Sequence, residues 1–248
     1  MRFIKVKTRP FLPPQDDLFE LMDQHLPKLK EGDILFITSK ILGMHQGRTV
    51  KIQKPNDKFQ IIKQEADFSL PKHKVGGHGF MLTIKDHTLI PSAGIDESNG
   101  NGYHILWPQN TQKLLREIWK YLSKKHHIKN LGIVATDSHT IPLRWGTQGI
   151  SIGFYGFKPL VDYRGQKDIF GRLLKYTQSN VVDSLTATAV LLMGEGKEKT
   201  PMLIARGLNF VKFTTKDLYK TLVINPKHDI YAPLLKPFRR PARKRHLR

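Results

Sequence analysis

Two aspartates in this chain each close an apolar run, a placement that suits holding a hard metal ion over a phosphate. Asp96 lies in Ser92-Ala93-Gly94-Ile95-Asp96-Glu97-Ser98-Asn99-Gly100, where a strand-like stretch passes into a polar, glycine-containing loop. Asp137 follows the apolar run Leu131 to Thr136 and leads into Ser138-His139-Thr140. Mg2+ and Mn2+ take oxygen ligands, and carboxylates fixed at strand ends present them in a set direction. Capping of turns or of a following helix is the plainer role for such acids, and pattern alone does not displace it.

A third acid, Glu195, sits in Met193-Gly194-Glu195-Gly196-Lys197. Glycines there permit close backbone approach to a phosphate, and the carboxylate adds an oxygen ligand. The same segment also reads as an ordinary helix end followed by glycine. It is not a P-loop, because the GxxxxGK[ST] spacing is absent. Asp162 to Asp168, with Gly171-Arg172, is dense in charge and turn residues. Its Arg164 suits bidentate grip on carboxylate or phosphate, although a solvated loop is the default. The 11 histidines are scattered, with no HExxH, and no GxSxG frames a serine. The pair His126-His127 fits an exposed helix end. Zero cysteines exclude disulfides, thiolate nucleophiles, zinc fingers and iron–sulfur clusters.

The elements that must position these groups form a mixed set. Strands are expected at residues 2–8, 34–38, 131–136, 150–155 and 202–205, the second and third as buried runs. Helices are expected at 15–26, 56–65, 110–125 and 179–193, with a short one opening at Thr215 behind a Thr-Thr cap. Arg9 to Pro14 reads as a proline-rich turn and Leu70 to Gly79 as a loop. Phe80 to Ile84 and Thr88 to Ile90 read as a hairpin around a three-residue loop, Lys85-Asp86-His87. Strands and helices mix without a regular βαβ period, so the fold class is α+β or mixed α/β.

The 248 residues carry 41 Lys+Arg against 21 Asp+Glu, a net charge of +20. Seven of the basic residues lie in the last thirteen, Lys236 to Arg248, which leaves +13 on residues 1–235. The expected division is a folded body at 1–235 and a mobile basic tail at 236–248, open to weak contact with nucleic acid or other polyanions. The basic body suits anionic small molecules as readily as nucleic acid. No run approaches the roughly 18 apolar residues of a membrane span, and the N-terminus reads as a strand rather than a signal peptide. A cytoplasmic location is expected.

Taken in order, several motifs resemble the coenzyme F-420:L-glutamate ligase family. They are Gly32-Asp33-Ile34 through Thr38-Ser39-Lys40, Gly47-Arg48, Ser92 to Asn99, Asp137-Ser138, Asp162 to Gly165, Phe170-Gly171-Arg172, Met193 to Gly196 and Arg206-Gly207-Leu208. The resemblance runs from about Pro10 to Leu208. It implies two interlocked subdomains with a nucleotide cleft between them, a homodimer, and glutamate ligation to a carboxylate of an anionic cofactor-type acceptor. GTP or ATP and two Mg2+ or Mn2+ ions would serve the reaction. By matching position, Asp96 and Asp137 would hold one metal, with Ser138 and Glu195 on the second. Pro10, Phe11, Leu12, Ser39, Lys40, Asn99, Met193, Gly194 and Gly196 would line the nucleotide site. Lys40, Arg144 and Arg164 are candidates for stabilising phosphates or the acceptor's acids.

The chain also departs from that family's pattern. Met44 replaces a usual lysine and Gln46 an acid. Ser138 stands for threonine, Thr140-Ile141 for Gly-Arg, and Ser184 for an acid. The acceptor, an F-420 precursor or a folate, and the choice of nucleotide therefore stay open. A ligand-binding or nucleic-acid-binding scaffold without activity is the alternative of another class.

Overall fold

Every residue from Asp33 to Ile37 and from Leu131 to Thr136 is buried, because both runs are central strands covered on both faces. The computed structural model describes residues 1–53, 57–70 and 80–241. In chain order its elements are β1 (Arg2–Val6), α1 (Leu18–His25), β2 (Asp33–Thr38), α2 (Ser39–His45), β3 (Thr49–Lys51), α3 (Asp57–Glu65), β4 (Phe68–Ser69), β5 (Leu82–Lys85), β6 (Thr88–Pro91) and β7 (Tyr103–Ile105). They continue with α4 (Thr111–His126), β8 (Leu131–His139), β9 (Gln148–Tyr155), β10 (Leu160–Asp162), β11 (Gln178–Asn180), α5 (Val181–Met193), β12 (Met202–Arg206), α6 (Tyr219–Leu222) and α7 (Ala232–Leu235).

The main sheet has five strands in the order β1-β12-β2-β8-β9, with β2 and β8 parallel and every other pair antiparallel. Alternation of side chains divides its core in two. Leu35, Ile37, Ile133, Ala135, Met202 and Ile204 pack on α1 and α4 through Leu18, Leu21, Leu115 and Ile118. On the other face Ile34, Phe36, Val134, Leu203 and Ala205 meet Val182, Leu185, Ala189 and Met193 of α5. Beside the sheet, β4-β5-β6, the β3-β7 pair and α3 surround a separate small cluster of Ile61, Ile62, Ala66, Ala93, Ile95 and Leu106. This is the mixed α+β architecture expected from the sequence.

Several boundaries differ for local reasons. Helix α1 starts at Leu18 because Asp17 caps it, its carboxylate accepting the Phe19 and Glu20 N–H groups. The β5–β6 loop has two residues, not three. Asp86 and His87 both take left-handed backbone, and Lys85 stays in the strand opposite Thr88. Strand β8 runs on to His139, so Asp137 lies within a strand and pairs with Ile150. Helix α5 begins at Val181 behind an Asn180 cap, because Ser179 belongs to β11. The helix expected at Thr215 begins only at Tyr219, with no side-chain cap. Most of the expected 70–79 loop lies outside the described residues. Phe238 is buried and Arg239 pairs with Ser69, so the body of the protein extends past residue 235, while 242–248 lie outside the described residues.

Two of the sequence motifs meet in one ion pair. The Asp33 carboxylate is fully buried and accepts from Arg206 Nε and Nη2, both at 2.7 Å, and from the Lys30 N–H at 2.8 Å. This pair stitches the start of β2 to the end of β12.

Candidate active site

The parallel pairing of β2 with β8 ends where Thr38 faces Thr136, and a cleft of about 1150 Å³ opens beyond that point, at the carboxyl end of β2. One wall carries Asp137, Ser138 and the Met193-to-Pro201 segment. The other carries Pro91, Ser92, Gly94, Asp96 and Asn99, and Pro10 and Phe11 also line the cleft.

Asp137 lies just past an irregularity in the β8–β9 ladder, where Ala135 pairs with Gly153 and Thr136 with Ser151, leaving Ile152 as an extra residue. Such bulges re-aim side chains beside functional sites. One Asp137 oxygen accepts the Trp107 indole N–H, and the other accepts the Ser138 N–H at 2.8 Å. Burial, with a smaller push from the charge on Asp96, raises its pKa to about 7 against the opposing pull of those hydrogen bonds and Lys40.

Asp96 behaves oppositely. Burial works against its ionisation, but Lys40 and the Ser98 hydrogen bonds outweigh it and hold the carboxyl below its ordinary range. Lys40, in the first turn of α2, places Nζ 2.8 Å from Asp96 Oδ2 and 2.7 Å from Ser98 Oγ. The Ser98 N–H donates to Asp96 Oδ1 at 2.7 Å.

The third group closes the far side. Ser138 Oγ donates to Glu195 Oε1 at 2.5 Å. Glu198 accepts the Gly196 N–H at 2.8 Å, and Asn99 Nδ2 donates to the Gly196 carbonyl at 3.1 Å, tying one wall to the other. Gly194 caps α5 with φ +84, where a Cβ would fall 2.5 Å from the Glu198 carboxyl carbon.

The cleft thus gathers Lys40, Asp96, Asn99, Asp137, Ser138, Met193, Gly194, Glu195, Gly196, Pro10 and Phe11. Four of the singled-out residues are not in its lining. Leu12 is exposed, although its N–H is held by the Arg9–Asp16 pair beside the cleft. Ser39 is buried at the start of α2. Arg144 stands exposed on the 140–147 loop, and Arg164 is exposed and paired with Asp162. Trp107, Ser98 and Glu198 were not among the singled-out groups. Trp107 sits between a short strand and a helix, where no periodicity marks it.

Among the described residues no three His, Asp or Glu side chains converge as a ready-made metal cage. What the cleft offers is an all-oxygen set, Asp96 and Asp137 with Ser138 and Glu195. That fits a hard cation that completes its shell with water and phosphate.

The family model described as F420-0:Gamma-glutamyl ligase matches residues 6–207, nearly the same stretch as the resemblance seen from about Pro10 to Leu208. The chain is 29% identical over 237 residues to the Coenzyme F420:L-glutamate ligase of Methanopyrus kandleri, covering 88% of this chain and 92% of that protein. It is 32% identical to that of Methanosarcina mazei, over 84% and 86% of the two chains. With that of Archaeoglobus fulgidus the identity is 30%, over 82% and 86%.

Proposed function

Since this chain belongs to the F420-0:gamma-glutamyl ligase family, we propose that it is a nucleotide- and metal-dependent γ-glutamyl ligase acting on an F420-type acceptor. The observation that carries the reading is that Asp96, Asp137, Ser138 and Glu195 all line one cleft, with a lysine already at Asp96. A carboxylate is a poor electrophile. The proposed route first transfers the terminal phosphoryl group of the nucleotide to the acceptor carboxylate, giving an acyl phosphate and a nucleoside diphosphate. The glutamate amine then attacks the acyl carbon, the amide bond forms, and inorganic phosphate leaves with the C–O electron pair. Mg2+ or Mn2+, held by Asp96 and Asp137 and by Ser138 with Glu195, would neutralise charge on the nucleotide oxygens. Lys40 supplies a further positive charge at the phosphates, and the 194–198 turn brings backbone close to them. The net charge of +20 favours encounter with a polyanionic nucleotide and acceptor.

The direct test incubates the protein with L-glutamate, GTP or ATP, Mn2+ or Mg2+, and either F420-0 or a folate monoglutamate, and reads glutamyl addition by mass spectrometry. Product with F420-0 and stoichiometric phosphate release are expected. No product and no phosphate with either nucleotide would sink the proposal.

A pH dependence follows from Asp137. Its carboxyl ionises only near pH 7, and a cation requires the ionised form. Metal affinity in the presence of nucleotide is expected to rise about tenfold per pH unit up to about 7, then to level off. Titrating Mn2+ at several pH values measures this slope, and a flat profile would contradict Asp137 as a ligand.

The homodimer belongs to the same proposal. Between β10 and β11 the chain forms an arm on which Ile169, Phe170 and Tyr176 are exposed. A second copy would cover such exposed side chains. Phe170→Asp with Ile169→Asp is expected to halve the mass measured by light scattering. An unchanged mass, whether monomer or dimer in both proteins, would remove the arm from any interface.

A further inference from the structure

Trp107 is 2% exposed and sits behind the cleft rather than in its lining. A buried indole N–H needs an acceptor, and this one donates to Asp137 Oδ2. Three features hold the ring in that position. Arg48 Nε donates to the Trp107 carbonyl at 3.2 Å, and the Arg48 carbonyl accepts the Leu106 N–H at 2.9 Å. Arg48 is itself fixed by Glu65 at 2.6 Å, and Glu65 also takes Lys85 at 2.9 Å. On the other side, Ser92, Ala93 and Gly94 run consecutively through left-handed backbone, with φ of 54, 54 and 71. A Cβ on Gly94 would lie 2.1 Å from Trp107 Nε1. The left-handed turn thus leaves a slot for the indole edge, on the wall that also carries Asp96.

We infer that Trp107 is a positioning residue for glutamyl transfer, whose indole N–H fixes the orientation of Asp137 so that its remaining lone pairs face the cleft. The inference rests on the assignment of Asp137 as a metal ligand. Both Asp137 oxygens already accept one hydrogen bond from the protein side, from Trp107 and from the Ser138 backbone, so the carboxylate cannot swivel without breaking one of them. Hydrogen bonds of this kind to ligating groups typically change metal affinity by about 10–100-fold when removed. The Gly47-Arg48 and Ser92-to-Asn99 motifs acquire one shared purpose, since one anchors the backbone of Trp107 and the other shapes the space for its ring.

The test compares wild type with Trp107→Phe, which keeps an aromatic ring but removes the N–H. Mn2+ binding in the presence of GTP is read by electron paramagnetic resonance, and melting temperature is read without ligand. A 10–100-fold loss of Mn2+ affinity with a little-changed melting temperature is expected. A second readout uses the side-chain N–H signals of the three tryptophans. The one left in the Trp119→Phe/Trp145→Phe double variant belongs to Trp107 and is expected to shift on addition of Mg2+ and GTP. If wild type binds Mn2+ but Trp107→Phe binds it within twofold as tightly, the positioning role is overturned while the ligase reading stands. If Trp107→Phe does not fold, an indole signal unmoved by Mg2+ and GTP overturns the role. If wild type shows no nucleotide-dependent Mn2+ binding, the metal assignment fails and takes this inference with it.

Discussion

Asp137→Asn is expected to lower kcat/KM for glutamyl transfer on the order of 10³-fold and to erase the stabilisation that nucleotide with Mg2+ confers on wild type. The size follows from the several kcal/mol that a cation contributes to charge stabilisation in phosphoryl transfer, where about 1.4 kcal/mol is a tenfold rate change. Asparagine keeps the shape of the side chain, and its single amide oxygen can still accept the Trp107 N–H, but its NH2 cannot accept the Ser138 N–H. The variant therefore loses the charge and one hydrogen bond, and its melting temperature without ligand measures the second part by itself. Thermal unfolding provides the check without needing an acceptor. A ligand at a hundred times its dissociation constant adds about 2.7 kcal/mol to stability. Wild type should show that shift with Mg2+ and GTP or ATP, and the variant should not. Equal shifts in both proteins would move the nucleotide–metal site away from Asp137.

The second large effect lies at the other end of β2. Arg206→Met should destabilise the fold by about 3–5 kcal/mol, because it strands the fully buried Asp33 carboxylate without its two guanidinium hydrogen bonds. Against a typical total of about 5–15 kcal/mol, that is a large fraction of the stability. Urea unfolding measures it. Replacing Asp33 as well, in Asp33→Asn/Arg206→Met, should recover part of the loss, since the cost is chiefly that of the orphaned charge. Turnover per folded molecule should be unaffected, because Asp33 opens β2 while the cleft lies beyond Thr38 at its far end. A destabilisation under about 1 kcal/mol would mean that the buried Asp33 carboxylate finds other partners once the guanidinium is gone.

What could be read from the sequence follows from how each signal arises. The runs at 34–38 and 131–136 announce themselves because strands covered on both faces have no polar alternation. Asp96, Asp137 and Glu195 stand out because each ends an apolar or glycine-flanked stretch. The extent of β8 was not legible, since residues 137–139 are polar and their strand conformation depends on pairing with Gln148 to Ile150 of β9. The two-residue turn was hidden because Asp86 and His87 take the left-handed conformation usually given to glycine. Lys85 looks like a loop residue, yet it is buried against Glu65. Trp107 has no sequence signal at all: its role exists only because β7 delivers it beside a strand some thirty residues away in the chain. Arg144 and Arg164 carry the right chemistry for phosphate, but both lie outside the lining of the cleft.

The strand order has a consequence for how the chain is made. β12 lies between β1 and β2, with Arg2 opposite Arg206 and Ile34 opposite Ala205. During synthesis β1 and β2 emerge before their shared neighbour, which starts 196 residues after the end of β1 (202 − 6) and 164 after the end of β2 (202 − 38). Until then β2 offers an open edge, apolar from Ile34 to Ile37, the kind of surface that templates aggregation. Closing so long a loop also slows folding, as it does wherever native pairing is distant in sequence. The nascent chain must therefore wait for the last-made strand of its main sheet, and a translational pause before residue 202 would prolong its most vulnerable state.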